Sequence, residues 1–151
     1  SVDPGRGTRR PVKYWDSSAL VSLHLSQAAN TPVRALYERD DIVVTWMLSD
    51  VEIRSALSRL RREGALTSAE YQRVVSQVES FWEGVHVVSL VDGTKTRAKR
   101  LLGVHPLRAA DAMQLGAALV AAYDDPTRWE FVCLDKRLNE AAQREGFSVL
   151  P

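Results

Sequence analysis

Four acidic residues carry the chemical signal in this 151-residue chain: Asp16, Glu52, Asp111 and Asp135. Asp16 ends a short extended run, Val12 to Trp15, and is followed by Ser17, Ser18 and a helical pattern. Asp135 repeats that placement after Phe131 to Leu134. Glu52 and Asp111 fall in the first turns of helices. Each acid also has a purely structural reading. Asp16 and Asp135 suit helix caps, and Ser49-Asp50-Val51-Glu52 fits a capping box in which the glutamate bonds back to the cap. Asp111 could simply favour the positive end of its helix. It nevertheless interrupts an apolar stripe of Leu107, Ala110, Leu115, Ala118 and Leu119. A charge on such a face is costly unless a cation or several donors meet it, which suggests the floor of a cleft.

Gathered in one crevice, four carboxylates would repel, and their pKa values would rise unless a cation held them. Hard oxygen donors of this kind suit Mg²⁺ or Mn²⁺. Zinc is disfavoured, because His24, His86 and His105 have no ligand spacing and Cys133 has no partner. The histidines read as structural or surface residues. No Ser/His or Cys/His pairing suggests a covalent nucleophile.

The elements that must position these acids follow from pattern. Val12–Trp15, Ile42–Thr45, His86–Leu90, Phe131–Leu134 and Phe147–Leu150 read as strands. Between them lie helices: Ala19–Ala29 behind Ser17 and Ser18, with Leu20, Leu23 and Ala28 inward, and one starting at Thr31-Pro32. A third runs from Ser49 to about Glu63, and a fourth opens with the capping box Thr67–Glu70 and continues to Trp82. A basic helix, Thr94–Leu102, is expected to stop at Gly103, ahead of the helix carrying Asp111; the last, Lys136–Arg144, stops at Gly146. Strands alternating with helices predict an α/β fold: a three-layer α/β/α sandwich with a mainly parallel five-stranded sheet. In such sheets ligands bind beyond the carboxyl ends of the strands, where Asp16 and Asp135 fall.

Composition is that of an ordinary globular domain, 45% hydrophobic and 26% charged, and the length predicts one domain, residues 12–150. Residues 1–11, polar and rich in Gly and Arg, read as a flexible arm or an expression remnant with no signal-peptide core. The longest apolar run, Leu115–Tyr123, is too short to span a membrane. The single cysteine excludes an internal disulfide and fits a reducing, cytoplasmic setting. A net charge of +1 does not advertise a nucleic-acid binder, although basic residues cluster at Arg59–Arg62, Lys95–Arg100 and Lys136–Arg137.

Four stretches, YWDSSAL at Tyr14–Leu20, SDVEIRSAL at Ser49–Leu57, LRAADAMQLGAAL at Leu107–Leu119 and FVCLDKRL at Phe131–Leu138, resemble the acidic blocks of PIN domains. The likeness is nearest to the VapC ribonuclease toxins of bacterial and archaeal toxin–antitoxin pairs, and it covers Val12 to Leu150. The resemblance implies a PIN-like fold and an acidic catalytic site of Asp16, Glu52, Asp111 and Asp135. Asp16 and Asp111 would bind Mg²⁺ directly (or Mn²⁺). Glu52 would orient water or help hold the metal, and Asp135 would complete the site or bind a second ion. Ser18 matches a hydroxyl residue that supports the first aspartate. Cys133 departs from the pattern, since relatives often carry Thr or Ser there, and so does the arm before Val12.

The activity so implied is metal-dependent endonucleolytic hydrolysis of RNA, of transfer or ribosomal type, by a toxin that a cognate VapB-like antitoxin neutralises. A homodimer is implied as well. Arg54, Arg108, Lys136 and Arg137 stand beside the acids and could receive flanking phosphates. Trp46, Met47, Phe81 and Trp82 are candidates for the apolar surface that an antitoxin covers. Two other classes remain: an inactive PIN-fold RNA-binding or scaffold protein, and a phosphate-accepting receiver domain. The receiver needs an acidic pair near the first strand, where this chain has only Asp16.

Overall fold

The computed structural model describes residues 10–25 and 31–151. The elements run β1 (Val12–Trp15), α1 (Ser17–His24), α2 (Pro32–Arg39), β2 (Val44–Trp46), α3 (Ser49–Arg62), α4 (Ser68–Trp82), β3 (His86–Val88), α5 (Val91–Val104) and α6 (Ala109–Ala121). A 3₁₀ turn (Pro126–Arg128), β4 (Trp129–Val132), α7 (Lys136–Glu145) and β5 (Ser148–Leu150) complete the chain. The five strands form one sheet in the order β3-β2-β1-β4-β5, and every pairing is parallel. The expected α/β class, layers and strand number are thus all present. β1 lies in the centre, in register with β4 from Val12↔Trp129 to Trp15↔Val132. The chain builds outward from β1 through β2 to β3, then returns to the other side of β1 for β4 and β5. β1 and β4 therefore flank the switch point, where adjacent connections diverge and leave a crevice at the carboxyl ends.

Alternation along the central strands divides the core. Tyr14 and Phe131 face one layer, where they stack with ring centroids 5.4 Å apart and pack with Leu101, Leu115 and Leu138 of α5, α6 and α7. Trp15 and Val132 face the other layer and meet Leu20, Val33, Ile53 and Val74 of α1 to α4. Such parallel strands, covered on both faces, bury consecutive residues, and Tyr14, Trp15, Phe131 and Val132 are all fully buried. α5 and α6 approach closely at Gly116, where a Cβ would lie 2.8 Å from the Thr94 carbonyl oxygen. No helix among the described residues is long and apolar enough to cross a membrane.

Several boundaries differ from expectation for local reasons. α1 starts at Ser17 because Asp16, rather than either serine, caps it: the carboxylate accepts from the Ser18 amide. α1 ends at His24 with Leu25 as its cap, and the expected inward Ala28 lies outside the described residues. α5 begins earlier than expected, at Val91, and continues through Gly103 to Val104. A glycine in a helix costs only about 1 kcal/mol, so it is a weak stop signal without a left-handed turn behind it. Gly146, by contrast, does end α7, at φ 109°. Exposed Ile42 precedes β2 instead of opening it.

Candidate functional site

Asp16 and Asp135 extend from the carboxyl ends of β1 and β4, on either side of the switch point. Asp16 is buried. Its Oδ2 accepts from Ser18 Oγ at 2.6 Å and from the Ser18 amide at 3.1 Å, while the Cys133 thiol lies 3.4 Å away. Ser18 Oγ also accepts from the Leu134 amide at 3.0 Å, so one hydroxyl ties the end of β4 to the acid that follows β1. Cys133, the departure from the family pattern, occupies a connecting position: its sulfur accepts from the Asp135 amide at 3.3 Å. Asp135 is exposed and caps α7 through the Leu138 amide at 2.9 Å. Capping leaves a carboxylate with further lone pairs, so structural and chemical roles coexist here.

Glu52 escapes the capping box that its sequence allows. Leu48 is the residue before α3 and makes no side-chain cap, whereas Ser49 lies inside the helix, buried, with its hydroxyl 2.7 Å from Thr45 Oγ1. Freed from the helix end, the Glu52 carboxylate turns to α6. There its Oε2 accepts a short hydrogen bond from Gln114 Nε2. Asp111 stands half-buried in the first turn of α6, three residues before Gln114 and on the same face. Its apolar surroundings are narrower than the expected stripe, because Ala110 is exposed and Leu107 only half-buried. The buried part of α6 begins at Ala112.

Asp16 and Asp111 act electrostatically on Glu52, and Asp135 and Asp16 act on Asp111. Burial pushes the Asp16 carboxyl up, against the hydrogen bonds from Ser18 and Cys133. Burial raises Glu52 to about 7; Gln114 opposes this, while Asp16 and Asp111 add to it. Asp111 is raised by burial first, then by Asp135 and Asp16. No salt bridge reaches any of the four among the described residues. A concentration of carboxylates with no salt-bridged cation among the described residues fits a hard divalent ion. As placed, no group of three or more His, Cys, Asp or Glu side chains among the described residues is arranged to hold a metal ion. The fit is therefore to an ion that takes few protein oxygens and keeps its waters, as Mg²⁺ does, and not to a closed protein cage.

Other expected contributors are distributed unevenly. Arg108 precedes α6 and partly offsets the rise at Asp111. Lys136 and Arg137 are exposed at the start of α7. Arg54 points to α4 and bonds Glu79 at 2.8 Å. Trp46 is buried in the core, and Met47 packs against that core. Neither offers the open surface anticipated for a partner. Half-buried Phe81 meets His24 edge-to-face and Tyr37 at a tilt. Trp82 borders a groove of about 570 Å³ between α3 and α4, walled by Ile53, Leu57 and Val78. His105 is structural, bonding Glu145 at 2.7 Å.

Pattern reading passed over the polar residues behind the acids. Gln114, Ser49 and Thr45 are almost wholly buried, and with Tyr14 they form a continuous hydrogen-bonded network beneath Glu52. A signal was available: Ser49 to Glu52 and Asp111 to Gln114 share a spacing of three, which puts each pair on one helix face.

The PIN domain family matches residues 13–144. Ribonuclease VapC45 and Ribonuclease VapC49, from two strains of Mycobacterium tuberculosis, are each 33% identical to this chain over 141 residues. The match covers 93% of this chain and 96% of each relative. Among solved structures, FitAcB from Neisseria gonorrhoeae superposes with a TM-score of 0.66 at 13% identity, covering 93% of this chain and 97% of that one. FitAB bound to an IR36 DNA fragment gives 0.64 at 12% identity, covering 92% and 94%. The last two likenesses speak to the fold alone; the family match and the mycobacterial relatives speak to descent. This chain belongs to the PIN-domain family, alongside the VapC ribonucleases.

Proposed function

We propose that the protein is a metal-dependent endoribonuclease toxin of the VapC type, with Asp16, Glu52, Asp111 and Asp135 as its catalytic acids. The observation that carries this reading is electrostatic. Asp16, Glu52 and Asp111 are held above their ordinary pKa by burial, with neighbouring acids adding to the rise at Glu52 and Asp111, at the switch point of a parallel sheet, and no salt bridge reaches them among the described residues. A fold does not maintain that arrangement for stability, since each ionised group there opposes folding. The two mycobacterial relatives named as ribonucleases supply the substrate class.

Asp16 and Asp111 would hold Mg²⁺, with Mn²⁺ as an alternative. Such an ion supplies charge neutralisation at the scissile phosphate and acidifies bound water. Ser18 and Cys133 keep the Asp16 carboxylate aimed by bonding its Oδ2. Glu52 is suited to receive or hold a proton near neutral pH, since its pKa lies at about 7. Asp135 completes the acidic rim, and Arg108, Lys136 and Arg137 receive flanking phosphates. No side chain acts as a covalent nucleophile, so hydrolysis proceeds by water attack. A transfer or ribosomal RNA substrate, a VapB-like antitoxin, a homodimeric state and a cytoplasmic location belong to the same reading.

The test is to express the wild-type chain and Asp16→Ala in bacteria and to map RNA 5′ ends. Growth arrest with discrete new ends in wild type only supports the toxin. Unaffected growth and intact RNA at high soluble expression would leave a non-catalytic PIN-fold binding protein in its place.

A further inference from the structure

Beneath the acids runs a hydrogen-bond chain whose direction can be worked out donor by donor. Thr45 Oγ1 donates to the Trp15 carbonyl oxygen at 2.6 Å. Its only proton is then committed, so in the 2.7 Å contact between Thr45 and Ser49 the donor must be Ser49. Ser49 Oγ in turn accepts from Gln114 Nε2 at 2.9 Å. At the other end of the same amide, Gln114 Oε1 accepts from the Tyr14 hydroxyl at 2.7 Å. Tyr14 has nothing else to give, and its ring is pinned by stacking on Phe131. Both ends therefore agree on how the Gln114 amide is turned: oxygen toward Tyr14, nitrogen toward Ser49 and Glu52. A flipped amide would set oxygen against the Glu52 carboxylate and an N–H against the tyrosine proton.

Gln114 is 1% exposed, and all its hydrogen-bonding groups are engaged. The Glu52 Oε2 atom is held by the second N–H of this amide, whereas its Oε1 makes no hydrogen bond among the described residues. The network members also share faces with the acids. Tyr14 precedes Asp16 by two residues on a strand; Ser49 precedes Glu52 by three, and Gln114 follows Asp111 by three, on helices. One satisfied network thus cross-links the three elements that carry Asp16, Glu52 and Asp111.

We propose that Gln114 is a positioning residue that fixes Glu52 by one carboxylate oxygen and leaves the other directed to the reaction. Buried networks that orient a reactive carboxylate act through geometry, and loosening them costs about 10- to 100-fold in activity or metal affinity. The inference rests on the ribonuclease reading for its rate effects, though not for its structural ones.

Two variants test it. Gln114→Met preserves volume and removes both ends of the clamp. Gln114→Glu preserves volume and the acceptor for Tyr14, but replaces the donor facing Glu52 with an acid. Both are expected to lower kcat about 10- to 100-fold with KM for RNA little changed. Neither should lower it further in a Glu52→Gln background, because the effect passes through Glu52. Crystal structures of the two variants should show the Glu52 carboxylate displaced or spread over several rotamers in an otherwise intact fold, which requires no activity to observe. Unchanged kcat with an ordered Glu52 overturns the proposal, as does a loss that multiplies with Glu52→Gln. If wild type cuts no RNA yet Glu52 loosens in the variants, the ribonuclease reading fails while the positioning role stands.

Discussion

The two ends of α6, and likewise of α7, treat carboxylates in opposite ways. At their N-termini stand Asp111 and Asp135, without a salt bridge among the described residues. At their C-termini stand Asp124 and Glu145, each gripped by arginine. Arg97 holds both oxygens of Asp124 at 2.7 and 2.6 Å, which keeps that carboxyl below its ordinary pKa. Burial pushes Glu145 up, but Arg100 at 2.6 Å and His105 at 2.7 Å outweigh it and bring the pKa down. The asymmetry follows the helix dipole. An acid at the positive end is tolerated alone, whereas one at the negative end needs a partner. The lesson is that this fold pairs arginines with acids that serve structure and, among the described residues, supplies none in salt-bridge contact with the acids at the switch point. On the proposed reading, those would be met by a cation from solution.

The sharpest way to break that contrast is Asp111→Asn. It should reduce RNA cleavage by roughly a thousandfold, the several kcal/mol of charge stabilisation that a metal ion supplies. The variant should stay folded by circular dichroism and, without metal, melt at or above the wild-type temperature, because a charge that opposes folding has been removed. A variant that melts lower and still cuts would place Asp111 with the structural acids.

Metal should act on the two groups differently as well. Mn²⁺ at about a hundredfold over its Kd should stabilise wild type by about 2.7 kcal/mol. The gain, read by calorimetry, should disappear in Asp16→Asn and persist in Arg97→Ala.

The pH dependence sharpens the comparison further. The Glu52 pKa is raised in the fold, from 4.5 to about 7, so the folded state binds a proton that the unfolded chain has released. Stability from this group is fully present below the unfolded value and is lost as pH rises through the folded one. Metal-free protein should therefore lose about 1 to 2 kcal/mol between pH 4.5 and 8, discounted for partial exposure, and Glu52→Gln should flatten that slope. Asp124 and Glu145 have the opposite sign, with stability lost as pH falls through their depressed values. The smallest effect belongs to the exposed pair: Arg97→Ala should cost less than about 1 kcal/mol in urea denaturation and leave cleavage unchanged.

How far the sequence could be read depended on what kind of physics placed each residue. Strand order aside, the fold was legible, because buried strands and capped helices have local signatures; Thr67 and Glu70 form the capping box as written. The approximate places of the acids were legible for the same reason, at strand ends and in first helical turns. Glu52 was not separable from a cap by pattern. The choice was made by tertiary contacts with Gln114, which lies 62 residues further along the chain. Gln114 itself hid among Ala, Leu and Gly, where a polar residue in an apolar helix reads as an interruption. The partner of Arg54 was not legible, because proximity in sequence to an acid says nothing of which neighbour across the groove, here Glu79, will pair with it. Cys133 shows the reverse: an unexpected residue type keeps the expected position against Asp16.

The most direct measurement of the central claim is a calorimetric titration of Mn²⁺ into metal-free wild type and Asp111→Asn at pH 7, in buffers of different ionisation enthalpy. Wild type is predicted to bind Mn²⁺ with release of a fraction of a proton, since Glu52 is partly protonated there. Asp111→Asn is predicted to bind far more weakly. Matching isotherms for the two proteins, or the absence of any heat with wild type, would contradict the assignment of this acidic edge to a metal-dependent site.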